Sequence, residues 1–330
     1  MKTYLVTGGA GFIGSNFVHY ILNKYGNEIY VINIDKLTYA GNLSNLSGLK
    51  GTDNYEFLQA DINDTAAISA IFAKYKPDII INFAAETHVD RSIDNPGIFT
   101  YSNILGTQSL LDAALKCSIE RFVQISTDEV YGSLDATGFF KENSPLKPSS
   151  PYSASKAAAD LLANAYYKTY GLPLIISRCS NNYGPRQFPE KLIPLTIKHC
   201  LSNIPVPVYG DGMQIRDWIY VKDHCAAIDL ITCSAPAGEV YNIGSSCEVE
   251  NLTIVKTIID TVYTVLEPGD LRRNWVNYDL IRHVEDRKGH DSRYAIDSSK
   301  IKQELNWTPQ MNFIEGIKYT VRWYLNNWAG

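Results

Sequence analysis

Long apolar runs are missing from this 330-residue chain. None approaches the roughly 20 residues that cross a bilayer. Asp78 to Ala85 is among the longest and is interrupted by Asn82. No membrane association is expected. The stretch after Met1-Lys2 reaches glycine within a few residues, so no secretory signal is expected either. Paired cysteine spacings are also absent. The six cysteines, at 117, 179, 200, 225, 233 and 247, form no Cys-x-x-Cys and have no nearby histidine at finger spacing. They read as buried thiols of a reducing cytoplasm, which argues against a disulfide framework or a bound metal. A positive excess is lacking: the net charge is −5, so no global field invites nucleic acid. Internal repeats and low-complexity tracts are absent.

What is present is an ordinary globular balance, with 45% hydrophobic and 20% charged residues. This excludes a disordered chain, a fibrous repeat and a small disulfide scaffold. The length suits about two domains.

The first 180 residues alternate short β-rich runs with amphipathic stretches. Tyr4 to Val6, Ile29 to Ile34, Tyr55 to Leu58, Ile79 to Phe83, Phe122 to Ile125 and Leu174 to Ser177 read as strands. Their continuous apolar character suits a parallel sheet covered on both faces. Helices are expected over residues 12–25, 66–74, 98–117 and 153–170. The alternation predicts an α/β fold with a Rossmann-type doubly wound parallel sheet. Prolines then cluster at 185, 189, 194, 205 and 207, and the rhythm breaks. A further strand is expected over 240–243, and helices over 252–266, 299–305 and 313–324. We expect a first domain over 1–185, to which a segment near 215–245 returns, and a smaller C-terminal α/β substrate-binding lobe over 186–330.

The first strand runs into Gly8-Gly9-Ala10-Gly11-Phe12-Ile13-Gly14, and a helix follows. Gly8, Gly11 and Gly14 permit a tight turn and close approach of backbone to a pyrophosphate. The helix N-terminus then offers free N–H groups and partial positive charge to that anion. Asp35 ends the second strand about 20 residues on, where a carboxylate accepts bonds from the ribose hydroxyls of NAD and repels the 2′-phosphate of NADP. The alternative for Asp35 is a helix cap. Lys36 beside it leaves strict NAD preference open.

Tyr152-Ser-Ala-Ser-Lys156 places a lysine one turn from a tyrosine on one helix. A nearby ammonium favours the phenolate and makes the tyrosine a general base. The spacing recurs at Tyr20 and Lys24, which lie past the cofactor turn and read as structural. Upstream, Ser126-Thr127 closes the fifth strand, where α/β sheets carry their ligands. The Thr127 hydroxyl can bond a reacting oxygen there.

Together, the glycine turn, Asp35, Phe83-Ala84-Ala85, Thr127 and the Tyr152/Lys156 pair resemble the extended short-chain dehydrogenase/reductases. More narrowly, the chain resembles the dTDP-glucose 4,6-dehydratases of nucleotide-sugar and deoxysugar metabolism. The narrower motifs are residues 85–92 (Ala-Glu-Thr-His-Val-Asp-Arg-Ser), 126–132 (Ser-Thr-Asp-Glu-Val-Tyr-Gly) and 178–185 (Arg-Cys-Ser-Asn-Asn-Tyr-Gly-Pro). Further ones are 189–194 (Pro-Glu-Lys-Leu-Ile-Pro), 209–212, 216–218 and 286–291 (Asp-Arg-Lys-Gly-His-Asp). The resemblance runs to about residue 325.

Two adjacent carboxyls, Asp128 and Glu129, follow the fifth strand. They can divide acid and base work if their surroundings separate their pKa values. The resemblance implies the roles. Tyr152 takes the C4 hydroxyl proton of the sugar as hydride leaves C4, Glu129 removes the C5 proton, and Asp128 protonates the departing C6 hydroxyl. The catalytic set is then Thr127, Asp128, Glu129, Tyr152 and Lys156, with NAD tightly bound and recycled in each turnover. The resemblance places Phe12, Ile13, Lys36, Leu37, Thr38, Asp61, Ile62, Phe83, Ala84, Ala85, Thr87, Ser102 and Asn182 on the NAD side. On the nucleotide-sugar side it places Thr87, Thr127, Asn181, Lys191, Leu192, Pro207, Val208, Tyr209, Arg216, Asn251, Asp286 and His290. Thr87 replaces a usual serine. Lys288 replaces a common proline, which loosens its loop. The resemblance also implies a homodimer built from the helices near 98–117 and 153–170. UDP-glucose as substrate, a 4-epimerase, a decarboxylase and a non-catalytic NAD sensor remain alternatives. The last would be expected to lack Tyr152, Lys156 or the acidic pair.

Overall fold

The computed structural model describes residues 1–287 and 289–328; Lys288, singled out above, lies outside them. Its first half alternates strands and helices. The strands are β1 (Lys2–Thr7), β2 (Ile29–Asp35), β3 (Tyr55–Gln59), β4 (Ile79–Asn82), β5 (Arg121–Thr127) and β6 (Leu174–Cys179). The helices are α1 (Phe12–Tyr25), α2 (Thr65–Tyr75), α3 (Val89–Asp94), α4 (Pro96–Phe99), α5 (Gly106–Leu115) and α6 (Pro151–Tyr170). The second half contributes β7 (Asn181–Tyr183), α7 (Leu192–Ser202), β8 (Val206–Tyr209), β9 (Ile215–Tyr220), α8 (Val221–Ser234) and β10 (Val240–Ile243). After these come β11 (Glu248–Glu250), α9 (Asn251–Val265), β12 (Ile281–Val284), α10 (Ser299–Leu305) and α11 (Phe313–Asn327).

Seven strands form one sheet in the order β10-β6-β5-β4-β1-β2-β3, every neighbouring pair parallel. This is the doubly wound sheet the alternation predicts. Its strands read as unbroken apolar runs because both faces are covered. Leu5, Ile32, Ile34, Ile80, Phe122 and Leu174 pack on one face with residues of α2, α5 and α6. Tyr4, Val6, Val31, Ile81, Val123 and Ile175 point the other way and pack with residues of α1 and α8. The outermost strand, β10, comes from the far half of the sequence. Ile228 and Ile231 of α8, Tyr241 and Ile243 of β10, and Ile301 of α10 join the same cluster. A second core gathers Ile193 and Ile197 of α7, Ile254 and Ile258 of α9, and Ile317 and Val321 of α11. It lies with two small sheets, β11-β9-β7 and β12-β8.

Two local features differ from the sequence expectation. The segment expected as one helix over 98–117 starts at Pro96 and contains a π-helical turn, Thr100–Leu105, before α5. The cause is tertiary. Buried Asn103 bonds the backbone of Glu86 through both Oδ1 and Nδ2 (2.8 and 3.0 Å) and donates to Ser155 Oγ. Gly106 abuts Ile62, where an added Cβ would lie 2.5 Å from Cδ1. The cysteines are all free, but only Cys179, Cys200 and Cys225 are buried, and Cys233 is exposed. Tyr20 packs on the first core, and Lys24 pairs with Asp229 of α8, in keeping with a structural role. No described helix is long and apolar enough to cross a membrane.

Candidate active site

A cleft of about 300 Å³ opens along the C-terminal ends of the sheet strands. Open α/β sheets bind ligands at that edge. Gly8, Gly11, Phe12, Ile13 and Gly14 line it after β1, and Asp35, Lys36 and Thr38 after β2. Asp61 and Ile62 line it after β3, Phe83, Ala84, Ala85 and Thr87 after β4, and Ser102 from the π-helical turn. The catalytic side is lined by Thr127, Glu129, Tyr152 and Lys156, with Asn181 and Asn182 of β7. Leu37 does not line the cleft. Its φ is 58°, its N–H donates to Asp35 Oδ1 (2.8 Å), and its side chain packs on the first core.

The glycine turn separates two jobs. Gly8 has φ 69°, and a Cβ there would lie 2.7 Å from Ala84 N, while at Gly14 it would run into the Gly8 carbonyl. Those glycines are required by packing. At Gly11 a Cβ would meet only Gly8 O at 3.2 Å. Gly11 is also the N-cap of α1 and makes no side-chain cap bond, so the first N–H groups of α1 are free for an anion. Asp35 is buried, accepting from Ala10 N (2.9 Å) as well as from Leu37 N. Burial pushes its carboxyl up, and these backbone donors pull it back. A phosphate cradle followed by a carboxylate at the end of β2 fits a dinucleotide.

A second cavity, of about 360 Å³, adjoins the first and shares Glu129, Asn181, Asn182, Gln187, Glu190 and Lys191 with it. Leu192, Pro207, Val208, Tyr209, Arg216, Asn251 and His290 line it, as expected of a substrate side. Asp286 does not line it. Its Oδ1 lies 2.7 Å from His290 Nδ1 and accepts from Arg287 N, so it holds the histidine rather than facing the space. Arg216 donates to the Asp291 carbonyl (2.9 Å) and stacks on Tyr294 (4.2 Å). Lys191 Nζ donates to Thr87 O (2.9 Å).

Thr127, Glu129 and Tyr152 line the first cavity, Glu129 lines both, and Asp128, expected with them, is buried off the cavities. A capping box of Ser150 and Ser153, with Pro151 in the first turn, starts α6 and fixes Tyr152. Thr127 Oγ1 donates to Asp128 Oδ1 (3.3 Å) and accepts from Glu129 N. The Asp128 side chain lines neither cavity and is 2% exposed; its Oδ2 has no partner. Burial, then the charges of Glu129 and Asp217, push Asp128 well above the carboxylate range. Burial also raises Glu129, but Arg216, Lys191 and Arg287 oppose it. Both carboxyls are thus raised, and Arg216 opposes the rise at each. Burial drives Tyr152 well above its ordinary value, and Glu129 adds to this. Lys156, one turn along α6 from Tyr152, donates to the Ile125 carbonyl of β5 (2.6 Å).

Glu190 and Arg287 are among the lining residues not singled out above, although the quoted motifs contain them. Glu190 accepts from Tyr39 OH (2.9 Å) and lies 3.6 Å from His88 Nε2. Arg287 pairs with Asp90 of α3 at 2.5 Å, tying the 286–291 loop to the first half.

The chain belongs to the nucleotide-sugar dehydratase family described as GDP-mannose 4,6 dehydratase, which it matches over residues 5–320. Within that class, it is 48% identical to the dTDP-glucose 4,6-dehydratase of Xanthomonas campestris pv. campestris, over 99% of this chain and 94% of that one. The crystal structure of a dTDP-glucose 4,6-dehydratase from Streptomyces venezuelae with NAD bound superposes with a TM-score of 0.92. It is 45% identical, covering 98% of this chain and 97% of that one. A UDP-glucose 4-epimerase of Thermotoga maritima, at 29% identity and a TM-score of 0.86, covers 98% and 99%.

Proposed function

We propose that the protein is an NAD-dependent hydro-lyase that converts dTDP-glucose to dTDP-4-keto-6-deoxyglucose and water. NAD, when bound, supplies the acceptor for hydride from C4 and its return to C6. The glycine turn and Asp35 would hold it. Tyr152 takes the C4 hydroxyl proton, with Thr127 beside the same oxygen. The ketone so formed acidifies the C5 hydrogen. Glu129 abstracts that proton, Asp128 donates one to the C6 hydroxyl, and water leaves. Lys191 and Arg216 supply positive charge facing the substrate cavity, as a pyrophosphate requires.

The observation that carries this reading is the adjacent pair Asp128 and Glu129 at the end of β5, with Glu129 lining both cavities and sharing the first with Thr127 and Tyr152. An epimerase needs oxidation at C4 but no acid for a C6 hydroxyl. The 48% identical dTDP-glucose relative supports the dTDP base. Incubation with dTDP-glucose and UDP-glucose side by side tests the proposal. A product lighter by one water from dTDP-glucose supports it, and a 4-epimer of unchanged mass would replace it with an epimerase.

The enzyme works as a homodimer of the cytoplasm on this reading. Ile98, Tyr101, Leu105 and Leu115, between α4 and the end of α5, are exposed, as are Leu161 and Tyr170 of α6. These outward apolar groups lie on the helices through which the resembling family pairs.

A further inference from the structure

We propose that Arg186 is a positioning residue for the dinucleotide site, tying the connection between β7 and α7 to the glycine turn through Asn45 and Asn16. The inference deepens the proposed function, since it takes the glycine turn as the holder of NAD, and its test has an arm independent of turnover.

Arg186 falls between two of the sequence motifs and lines neither cavity. Two of its features are costly. Its φ is 71°, in the left-handed region that side chains disfavour. Its guanidinium is half-buried, yet it donates to uncharged acceptors, Asn45 O (3.1 Å) and Asn16 Oδ1 (3.2 Å). Drawing a charge out of water costs free energy when no opposite charge meets it. Strained backbone persists where the surrounding structure over-determines it, and it gathers at functional sites.

Both acceptors lead to the glycine turn. Asn45 is buried in a short 3-10 turn, Leu43–Leu46, between β2 and β3. Its Nδ2 donates to Ala10 O (2.9 Å), a carbonyl that also accepts from Asn42 N (3.0 Å). Ala10 is thus gripped at both ends, by Asp35 at its N–H and by Asn45 at its carbonyl. The Asn45 carbonyl meets His19 Nε2 of α1 (2.9 Å) as well as Arg186. Those two side chains fix the backbone from which Asn45 reaches the turn. Asn16 is buried on α1, and its Nδ2 donates to Phe12 O (2.9 Å) and Pro185 O (3.0 Å). Two carbonyls therefore set the direction of this amide and leave Oδ1 to accept from Arg186. Phe12 opens the helix whose first N–H groups are free for an anion.

The other end of the tie is the connection itself. Gln187, Phe188, Glu190 and Lys191 follow Arg186 and line the cofactor cleft. Arg186 joins this segment, with the lysine that faces the substrate cavity, to the turn that faces the NAD pyrophosphate. Because Arg186 lines neither cavity, a change in NAD affinity on its replacement must travel through the residues it holds.

The test uses the full-length protein with Arg186→Met, which keeps a long stem without donors, and Arg186→Gly, which suits the left-handed backbone. Circular dichroism checks that each is folded. By calorimetry both should bind NAD about tenfold more weakly than wild type, the scale of one lost hydrogen bond to a charged group. Asn45→Ala should weaken NAD binding too. In Arg186→Met/Asn45→Ala the losses should fall short of their product, because one path is cut twice. With dTDP-glucose, turnover of Arg186→Met should be low at limiting NAD and recover as NAD is raised. Wild-type NAD affinity in both Arg186 variants, or an activity loss that added NAD leaves unchanged, would make Arg186 a structural tie and overturn the proposal. Losses that multiply in the double variant would sever Arg186 from Asn45 and overturn it equally. If wild type binds NAD but fails to turn over dTDP-glucose, the proposed function falls, and the calorimetry still decides the role of Arg186.

Discussion

Lys36 follows Asp35 in the sequence, yet its ammonium is drawn to Asp61 Oδ2 at 2.6 Å, and all three residues line the cofactor cleft. The lysine is therefore engaged and poorly placed to welcome a 2′-phosphate. Asp35→Ala should weaken NAD binding by about 1–3 kcal/mol, the scale of a charge-assisted hydrogen bond. Asp61→Asn should release Lys36 and raise affinity for NADP. Calorimetry with both dinucleotides reads both effects, and unchanged NAD affinity in Asp35→Ala would detach Asp35 from the ribose.

The two carboxyls should separate the half-reactions. Glu129→Gln is nearly isosteric but cannot abstract the C5 proton, so turnover should fall about 10²–10⁴-fold. Solvent deuterium incorporation at C5 should fall with it. Asp128→Asn should slow product formation similarly while leaving C5 exchange measurable. Asp128 must be protonated and Glu129 ionised, and both are raised. Activity should therefore fall as pH rises through the pKa of Asp128 and as pH falls through that of Glu129. Near-wild-type product from the double variant would sink the assignment.

His224 is fully buried on α8, with Nδ1 2.9 Å from Asn182 Oδ1 and no partner at Nε2. Burial lowers its pKa from 6.5 to about 3. The folded protein refuses a proton that the unfolded chain accepts, so this contribution is whole above pH 6.5 and is lost as pH falls towards 3. It amounts to roughly 3–5 kcal/mol. His224→Gln should flatten the stability loss between pH 6.5 and 4, measured by urea denaturation. Parallel curves for the two proteins would count against it.

A charge on the outward face of α6 should break the proposed dimer. Wild type should scatter light as a dimer at micromolar concentration, and Leu161→Arg as a monomer with unchanged circular dichroism. A wild-type protein of monomer mass would end this reading.

The glycine turn, Asp35 and the Tyr152/Lys156 pair were legible because each is a local pattern, and the sheet was legible because strands covered on both faces are apolar throughout. What stayed hidden depends on distant partners. The π-helical turn at Thr100–Leu105 follows from Asn103 gripping Glu86 and from Gly106 meeting Ile62, contacts that no local periodicity records. The strands β7, β8, β11 and β12 have only three or four residues each, too few to show alternation. Leu37 and Asp286 sit next to lining residues in the sequence but turn inward or sideways. The hydrogen bond from Lys156 of α6 to Ile125 depends on a carbonyl of β5, some 30 residues away in the sequence.

Placing β10 at the edge beside β6 has a consequence for how the protein is made. Some 60 residues separate the two strands, and the cluster beneath them also takes in Ile301 and Trp307. A nascent chain that has emerged only to residue 239 carries a six-stranded sheet with β6 as a bare edge. Exposed edges of that kind invite pairing with other chains. The protein must hold this unfinished surface through the synthesis of its last third, so truncations before about residue 307 should aggregate rather than yield a free-standing dinucleotide-binding domain.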